Sequence, residues 1–178
     1  MEGRDSAPSR RAAEAARGQF NSTLRMLKTF IEVCPQPVWE RCYFGFSYPV
    51  WYQVFHAAYF IDYWFREAYD GSEYRCMTFD EKLPPEFERE VDASLMVSRE
   101  DMLLFMDRIA QKTGRFFDHL DDVKLGDDIV TGVPNYTYAD VVFAQVRHVM
   151  YNVGYLNGIL RSLDLEESDW YAYNEKEE

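Results

Sequence analysis

The stretch from Tyr138 to Leu163, YADVVFAQVRHVMYNVGYLNGILRSL, runs 26 residues without a proline and repeats its apolar positions at helical spacing. It reads as a single long helix. At about 100° per residue, His148 falls in line with Val141, Ala144, Asn152, Tyr155 and Ile159, so the histidine points inward. Asp140, Arg147, Gly154, Gly158 and Arg161 gather on one narrow stripe, while Val142, Val146, Val149, Met150, Val153, Leu156 and Leu160 cover most of the remaining surface. A helix apolar over so wide an arc lies centrally in an all-α domain. The rest of the chain has to surround it.

With 178 residues, 47% of them hydrophobic, and no break in composition, the chain is long enough for one well-packed domain. Residues 1–18 read as a disordered or fraying tail; acidic Glu2, Asp5 and Glu14 speak against a transit peptide. A first core helix is expected from Gln19 to Val33, with Phe20, Leu24, Leu27 and Ile31 on its buried face and Pro35 and Pro37 to stop it. The aromatic connection Gln36–Tyr48 is expected to fold over one end of the domain. A second helix opens at Pro49 and runs to about Ala68, before Asp70 and Gly71 end it.

Residues 69–97 form a long connection with Pro84-Pro85 and an acidic run from Glu86 to Asp92, a length that is uncommon unless functional or locally helical. Ser98, with Asp101 three residues on, opens a third helix that reaches Leu120. A loop rich in Asp and Gly then leads to the central helix. The domain closes near residue 165, and the acidic tail 166–178 carries Trp170, Tyr171 and Tyr173 as aromatics able to dock on it.

The net charge of −12 repels a phosphate backbone, and no basic patch outside the N-terminal tail offsets it, so no nucleic-acid partner is expected. Cys34, Cys42 and Cys76 lack CxxC spacing and sit in apolar or aromatic surroundings, which argues against a disulfide framework and for a reducing, cytoplasmic setting. No apolar run reaches the roughly 18 residues of a membrane span, and no membrane partner is expected.

Known constellations are mostly missing: the chain has no Gly-rich phosphate loop, no HExxH, no G-x-S-x-G and no Glu-x-x-His pairs. What remains is His56 on the second helix and His148 on the last, with Asn152 one turn beyond His148. Tyr52, Tyr59, Phe60 and Tyr63 share the face of His56, and Asp62 is turned about a third of a turn away. Several readings of this pair stand open. The imidazoles could form a buried hydrogen-bonded network with Tyr52, Tyr59 or Tyr63. They could hold a metal ion with the Asn152 amide oxygen as a weak third ligand, or a His–Tyr pair could work as acid and base. They could also lie far apart. His119, among Asp118, Asp121 and Asp122, reads as a residue that favours helix-end carbonyls. Gly154 and Gly158 would admit a close backbone, either inside the domain or from a second copy of the chain. Asn157 and Arg161 read as structural, an amide bridging to a neighbouring helix and a guanidinium pairing with an acid.

The run Arg147-His148-Val149-Met150-Tyr151-Asn152-Val153-Gly154-Tyr155-Leu156-Asn157-Gly158-Ile159-Leu160-Arg161 resembles the last core helix of the DinB-like (DinB/YfiT) metalloenzyme superfamily, whose pattern there is roughly R-H-x-x-x-H-x-G-x-L-N-x-x-L-R. Trp51-Tyr52-Gln53-Val54-Phe55-His56, followed by Asp62-Tyr63-Trp64, resembles the segment that carries the family's first metal ligand. The likeness covers most of residues 19–163. It implies an up-down-down-up four-helix bundle with a long crossover between the second and third helices. It also implies a metal site at His56, His148 and position 152, next to a pocket with Tyr52, Tyr59, Tyr63 and Tyr155. Asn152 stands where the family has a histidine ligand, so a divalent ion, Zn or Ni, would be bound weakly or not at all. Members include thiol-dependent S-transferases and a maleylpyruvate isomerase. The implied function is a metal-dependent, transferase- or hydrolase-like enzyme acting on a small molecule, in a homodimer, with any thiol cofactor unidentified. The alternative is a non-catalytic small-ligand-binding or dimeric interaction protein that has lost the metal.

Overall fold

The computed structural model describes residues 8–87 and 91–171. The described residues form five α-helices and no strand: α1 Arg11–Val33, α2 Gln36–Trp39, α3 Val50–Trp64, α4 Arg99–Asp118 and α5 Tyr138–Ser162. The protein is all-α, and no helix among the described residues is long and apolar enough to cross a membrane.

The central helix starts where a reciprocal cap allows it. Thr137 Oγ1 accepts from the Asp140 N–H, and the Asp140 carboxylate accepts from the Thr137 N–H. Ser98 caps α4 with its hydroxyl oxygen, accepting from the Asp101 N–H at 3.0 Å. α1 begins eight residues earlier than its apolar spacing predicts, at Arg11 rather than Gln19. The reason is a long-range cap. Asp122 Oδ1 accepts from the N–H groups of Ala12 and Ala13 at 2.8 and 3.0 Å, and Ala13 and Ala16 are buried. Of the expected tail, residues 8–10 precede this helix and residues 1–7 lie outside the described residues. α3 ends at Trp64, four residues short of the expected Ala68. Phe65 is drawn into the core against Phe20, Phe116 and Phe117, at ring separations of 4.5, 4.8 and 5.8 Å, and the chain turns there.

Side-chain pairs fix how neighbouring helices run. Lys28–Asp107 and Arg17–Asp118 join α1 to α4, so these two are antiparallel. Phe55–Phe105, Asp62–Lys112 and Phe65–Phe116 rise together in number, so α3 and α4 are parallel. Gln53–Asn152 and His56–His148 run in opposite senses, so α3 and α5 are antiparallel. α1 packs on α4 and α5, and α3 packs on the same two. Trp39, fully buried, ties the aromatic connection to the start of α4 by donating from Nε1 to the Val97 carbonyl at 2.8 Å.

Among the described residues, the buried charge lies between α3 and α4. Asp62 is wholly buried, and its Oδ1 accepts from Lys112 Nζ at 2.6 Å and from the Tyr74 hydroxyl at 3.1 Å. Its Oδ2 accepts from the Met77 N–H at 2.8 Å. Lys112 Nζ also donates to the Asp62 carbonyl at 2.6 Å and contacts the Tyr74 hydroxyl. The carboxylate is therefore turned away from His56 and towards α4 and the long connection.

At the other end of the chain, Tyr171 docks on α1, its hydroxyl 2.8 Å from Thr29 Oγ1 and its ring under Arg25 at 3.9 Å. Trp170 does not dock and is 75% exposed; Tyr173 lies outside the described residues. Asn157 bridges to Ser168 of this terminal segment rather than to a neighbouring helix, and Arg161 pairs with Glu167. Gly154 and Gly158 admit no close backbone among the described residues, since a Cβ at either would meet nothing of them within 4 Å.

Removing one member of the buried pair strands the other charge. Lys112→Met and Asp62→Ala should each lower unfolding free energy by roughly 3–5 kcal/mol, measured by urea denaturation. Arg75→Ala breaks the exposed Arg75–Glu81 pair and should leave the midpoint where it was.

Candidate functional site

Antiparallel packing of α3 on α5 sets polar side chains against each other as rungs of a ladder. One rung joins His56 Nε2 to His148 Nε2 at 3.2 Å. The next joins Gln53 to Asn152, with Gln53 Nε2 donating to Asn152 Oδ1 at 2.6 Å. Spacing on each helix makes this possible, because Gln53 and His56 are three apart, and His148 and Asn152 four.

The surroundings settle the form of His56. Its Nδ1 lies 2.6 Å from the Pro85 carbonyl, which can only accept, so Nδ1 carries the proton and Nε2 presents a lone pair to His148. His148 Nδ1 faces Gln145 Oε1 at 3.3 Å. With the glutamine oxygen on that side, Nδ1 of His148 is protonated too and two Nε2 lone pairs meet, an arrangement that calls for a cation between them. With the amide reversed, His148 Nε2–H donates to His56 and the pair is satisfied by itself.

Burial lowers the pKa of both imidazoles. For His56 the Pro85 carbonyl and the nearby Glu86 partly oppose this. His148 is brought down to about 4 by burial and by repulsion from a charged His56. Both are neutral near pH 7, the form in which a histidine accepts a proton or binds a metal.

The rings around the pair are phenylalanines. Phe87 stacks on His56 at 4.0 Å, and Phe60 meets His56 and His148 edge-on at 4.9 and 5.8 Å. The tyrosines expected at the pocket have other partners. The Tyr52 hydroxyl faces the Pro84 and Glu86 carbonyls at 2.7 and 2.6 Å, and so holds the segment whose Pro85 braces His56. Tyr59 lies beside Cys76, and the Tyr63 ring lies under Arg66 at 4.5 Å. The Tyr155 hydroxyl points to the Tyr43 carbonyl at 3.5 Å, with its ring among Phe44 and Phe46.

Asn152 is buried beside the histidines, but its amide is engaged: Oδ1 accepts from Gln53 and Nδ2 donates to the His148 carbonyl at 2.8 Å. Gln53 Oε1 is buried without a partner. No group of three or more His, Cys, Asp or Glu among the described residues is placed to hold a metal ion. His119 caps the end of α4, its Nδ1 2.7 Å from the Arg115 carbonyl.

Gln53, Gln145, Pro85 and Phe87 shape the site without having been singled out from sequence. The glutamines were legible in principle, since Gln53-Val-Phe-His56 and Gln145-Val-Arg-His148 repeat one spacing. Pro85 and Phe87 carry no such signal, because only the fold of the connection brings them to His56. No protein-family model, curated protein or solved structure matches the chain.

Neutral burial of His148 has a pH signature in metal-free protein. The unfolded chain takes up a proton near pH 6.5 and the folded chain only near 4, so stability is full above 6.5 and falls as pH drops from 6.5 to 4. Urea midpoints at pH 7, 5.5 and 4.5 should show this decline, and His148→Gln should make it shallower, leaving the part due to His56.

Proposed function

We propose that the chain is a DinB-like four-helix bundle in which α1, α3, α4 and α5 run up, down, down and up, with residues 65–98 as the crossover. In this reading His56 and His148 bind a divalent transition metal, Zn or Ni, beside which a small molecule undergoes a transferase- or hydrolase-like reaction. The observation that carries the reading is the Nε2 to Nε2 distance of 3.2 Å. Two imidazoles on one tetrahedral ion, with bonds near 2.05 Å, stand about 3.3 Å apart. Support also comes from the Nδ1 partners, the Pro85 carbonyl and, with its amide oxygen turned to the ring, Gln145, since a ligating histidine commonly donates its other N–H to such an acceptor. The pairwise helix directions given by Lys28–Asp107, Asp62–Lys112 and Gln53–Asn152 support the bundle.

The donor set is thin. Two neutral nitrogens fit Zn or Ni; the amide oxygens of Asn152 and Gln53, on the adjacent rung, are weak donors, and Asn152 Oδ1 is already bonded. Affinity therefore falls below that of a three-histidine site. A metal ion held there would make a bound water or thiol more acidic and polarise an oxygen of the substrate. The chain's own part is to hold His56 through the Pro85 carbonyl and His148 through Gln145, and to exclude water from one side with Phe60 and Phe87.

A second reading, a non-catalytic small-ligand binder or dimeric interaction protein, is favoured by the engaged Asn152 amide and by the lack of a third strong ligand among the described residues. Calorimetric titration with Zn and Ni separates the two. Wild type should bind weakly at one site per chain, and His56→Ala or His148→Ala should abolish binding. Asn152→His should strengthen binding by at least about tenfold, and His56→Ala in that background should remove the gain. If neither wild type nor Asn152→His binds either metal, the second reading holds.

A further inference from the structure

A cavity of about 340 Å³ opens between the C-terminal ends of α3 and α4 and the start of α5, where Arg66, Arg115, Lys124, Phe116 and Tyr138 line it. Tyr138 precedes His148 by ten residues, about 15 Å along the helix axis, so this hollow is separate from the histidine pair. Its charge runs against that of the molecule. In a chain of net charge −12, three cationic side chains, Arg66, Arg115 and Lys124, face one carboxylate, Glu67. Lys112 also lines the hollow, but its ammonium is committed to Asp62 and Tyr74.

None of the three cations makes an ion pair among the described residues. Arg66 is held in place by aromatic faces, its guanidinium 4.5, 5.3 and 5.8 Å from the ring centres of Tyr63, Tyr69 and Tyr74. Its Nε is buried and has no hydrogen-bond partner, a costly state that an acceptor in the hollow would relieve. Lys124 Nζ stands 5.5 Å from the centre of the Tyr138 ring. Phe65 and Phe116, ring centres 4.8 Å apart, supply an apolar wall. Like charges gathered around a partly apolar hollow repel one another until an anion joins them, and the volume is that of a small-molecule site.

We propose that this cavity binds a small organic anion, a carboxylate or phosphate group on a compact apolar or aromatic body. The anionic oxygens take the N–H groups of Arg66 and the charges of Arg115 and Lys124, and the body rests on Phe65, Phe116 and Tyr138. Guanidinium groups suit both headgroups because their fixed N–H geometry matches paired oxygens.

The test is calorimetric titration of the full chain at low ionic strength with benzoate, phenyl phosphate, inorganic phosphate and neutral benzyl alcohol. Benzoate or phenyl phosphate should bind at one site, the tighter of the two naming the headgroup, and added salt should weaken the binding. Benzyl alcohol should not bind. Arg66→Gln and Arg115→Gln should each weaken binding about tenfold or more, and Arg115→Lys should recover part of the loss. Arg115 is exposed, so its variants test the site even if Arg66→Gln disturbs folding. Arg108→Gln, in an adjoining cavity that shares Glu67, Lys112 and Arg115 with this one, and His56→Ala should bind as wild type does. Absence of binding by both aromatic anions, or an equal loss in Arg108→Gln, would overturn the site. Inorganic phosphate binding as tightly as phenyl phosphate would overturn the role of the apolar wall.

Discussion

A carboxylate with no exposed surface must find all its partners inside the protein, and Asp62 finds them on three sides. It takes Lys112 from α4, the Tyr74 hydroxyl and the Met77 N–H from the long connection, while its own backbone belongs to α3. Burying either charge alone costs several kcal/mol, so the pair specifies which turn of α4 lies against which turn of α3. The same contact decides where the connection must pass after leaving α3. Only from there does it reach Tyr52 and His56 with the carbonyls of Pro84, Pro85 and Glu86.

The seam between α3 and α5 depends on that placement from the other side. α5 is apolar over most of its girth, which leaves few positions where polar groups can meet within the core. Where they do meet, most are paired: Asn152 with Gln53 and the His148 carbonyl, His148 with Gln145 and His56. A buried amide ladder of this sort fixes the vertical register of two helices, because a slip of one turn would leave several groups unpaired at once. The 3.2 Å approach of the imidazoles is a consequence of that register.

The helical character of the chain was legible because it is written in local periodicity, which is why α5 and the start of α4 fall where apolar spacing and capping residues put them. The inward direction of His56 and His148 was legible for the same reason. What local pattern could not reveal lies in distant contacts. The early start of α1 depends on Asp122, more than a hundred residues away. Lys112 sits among polar neighbours on α4 and looks like part of a wet face until Asp62 is placed opposite it. The hydroxyl partners of the tyrosines were not legible for a related reason: angular position on a helix tells which face a side chain leaves from, but not that the hydroxyls of Tyr52 and Tyr155 meet the carbonyls of Pro84, Glu86 and Tyr43. The brace on His56 is a backbone carbonyl, and a carbonyl has no signature in sequence.

The described parts of the path from Phe65 to Ser98 are fastened at intervals. Tyr74 and Met77 are tied to Asp62, Pro84 to Glu86 are tied to Tyr52 and His56, and Val97 is tied to Trp39. Entropically they behave as a set of short loops, each closed separately, and the cost of closing a loop rises only slowly with its length. Variation in chain length is therefore cheap within Asp80–Lys82, between fastenings, where the residues are exposed and lie past Phe79, whose ring packs on Phe55 and Phe105. Inside Tyr74–Met77 or Pro84–Glu86 one added residue would shift a donor or acceptor off its partner in the core. The segment can lengthen or diverge between its attachment points while the surroundings of His56 stay as they are.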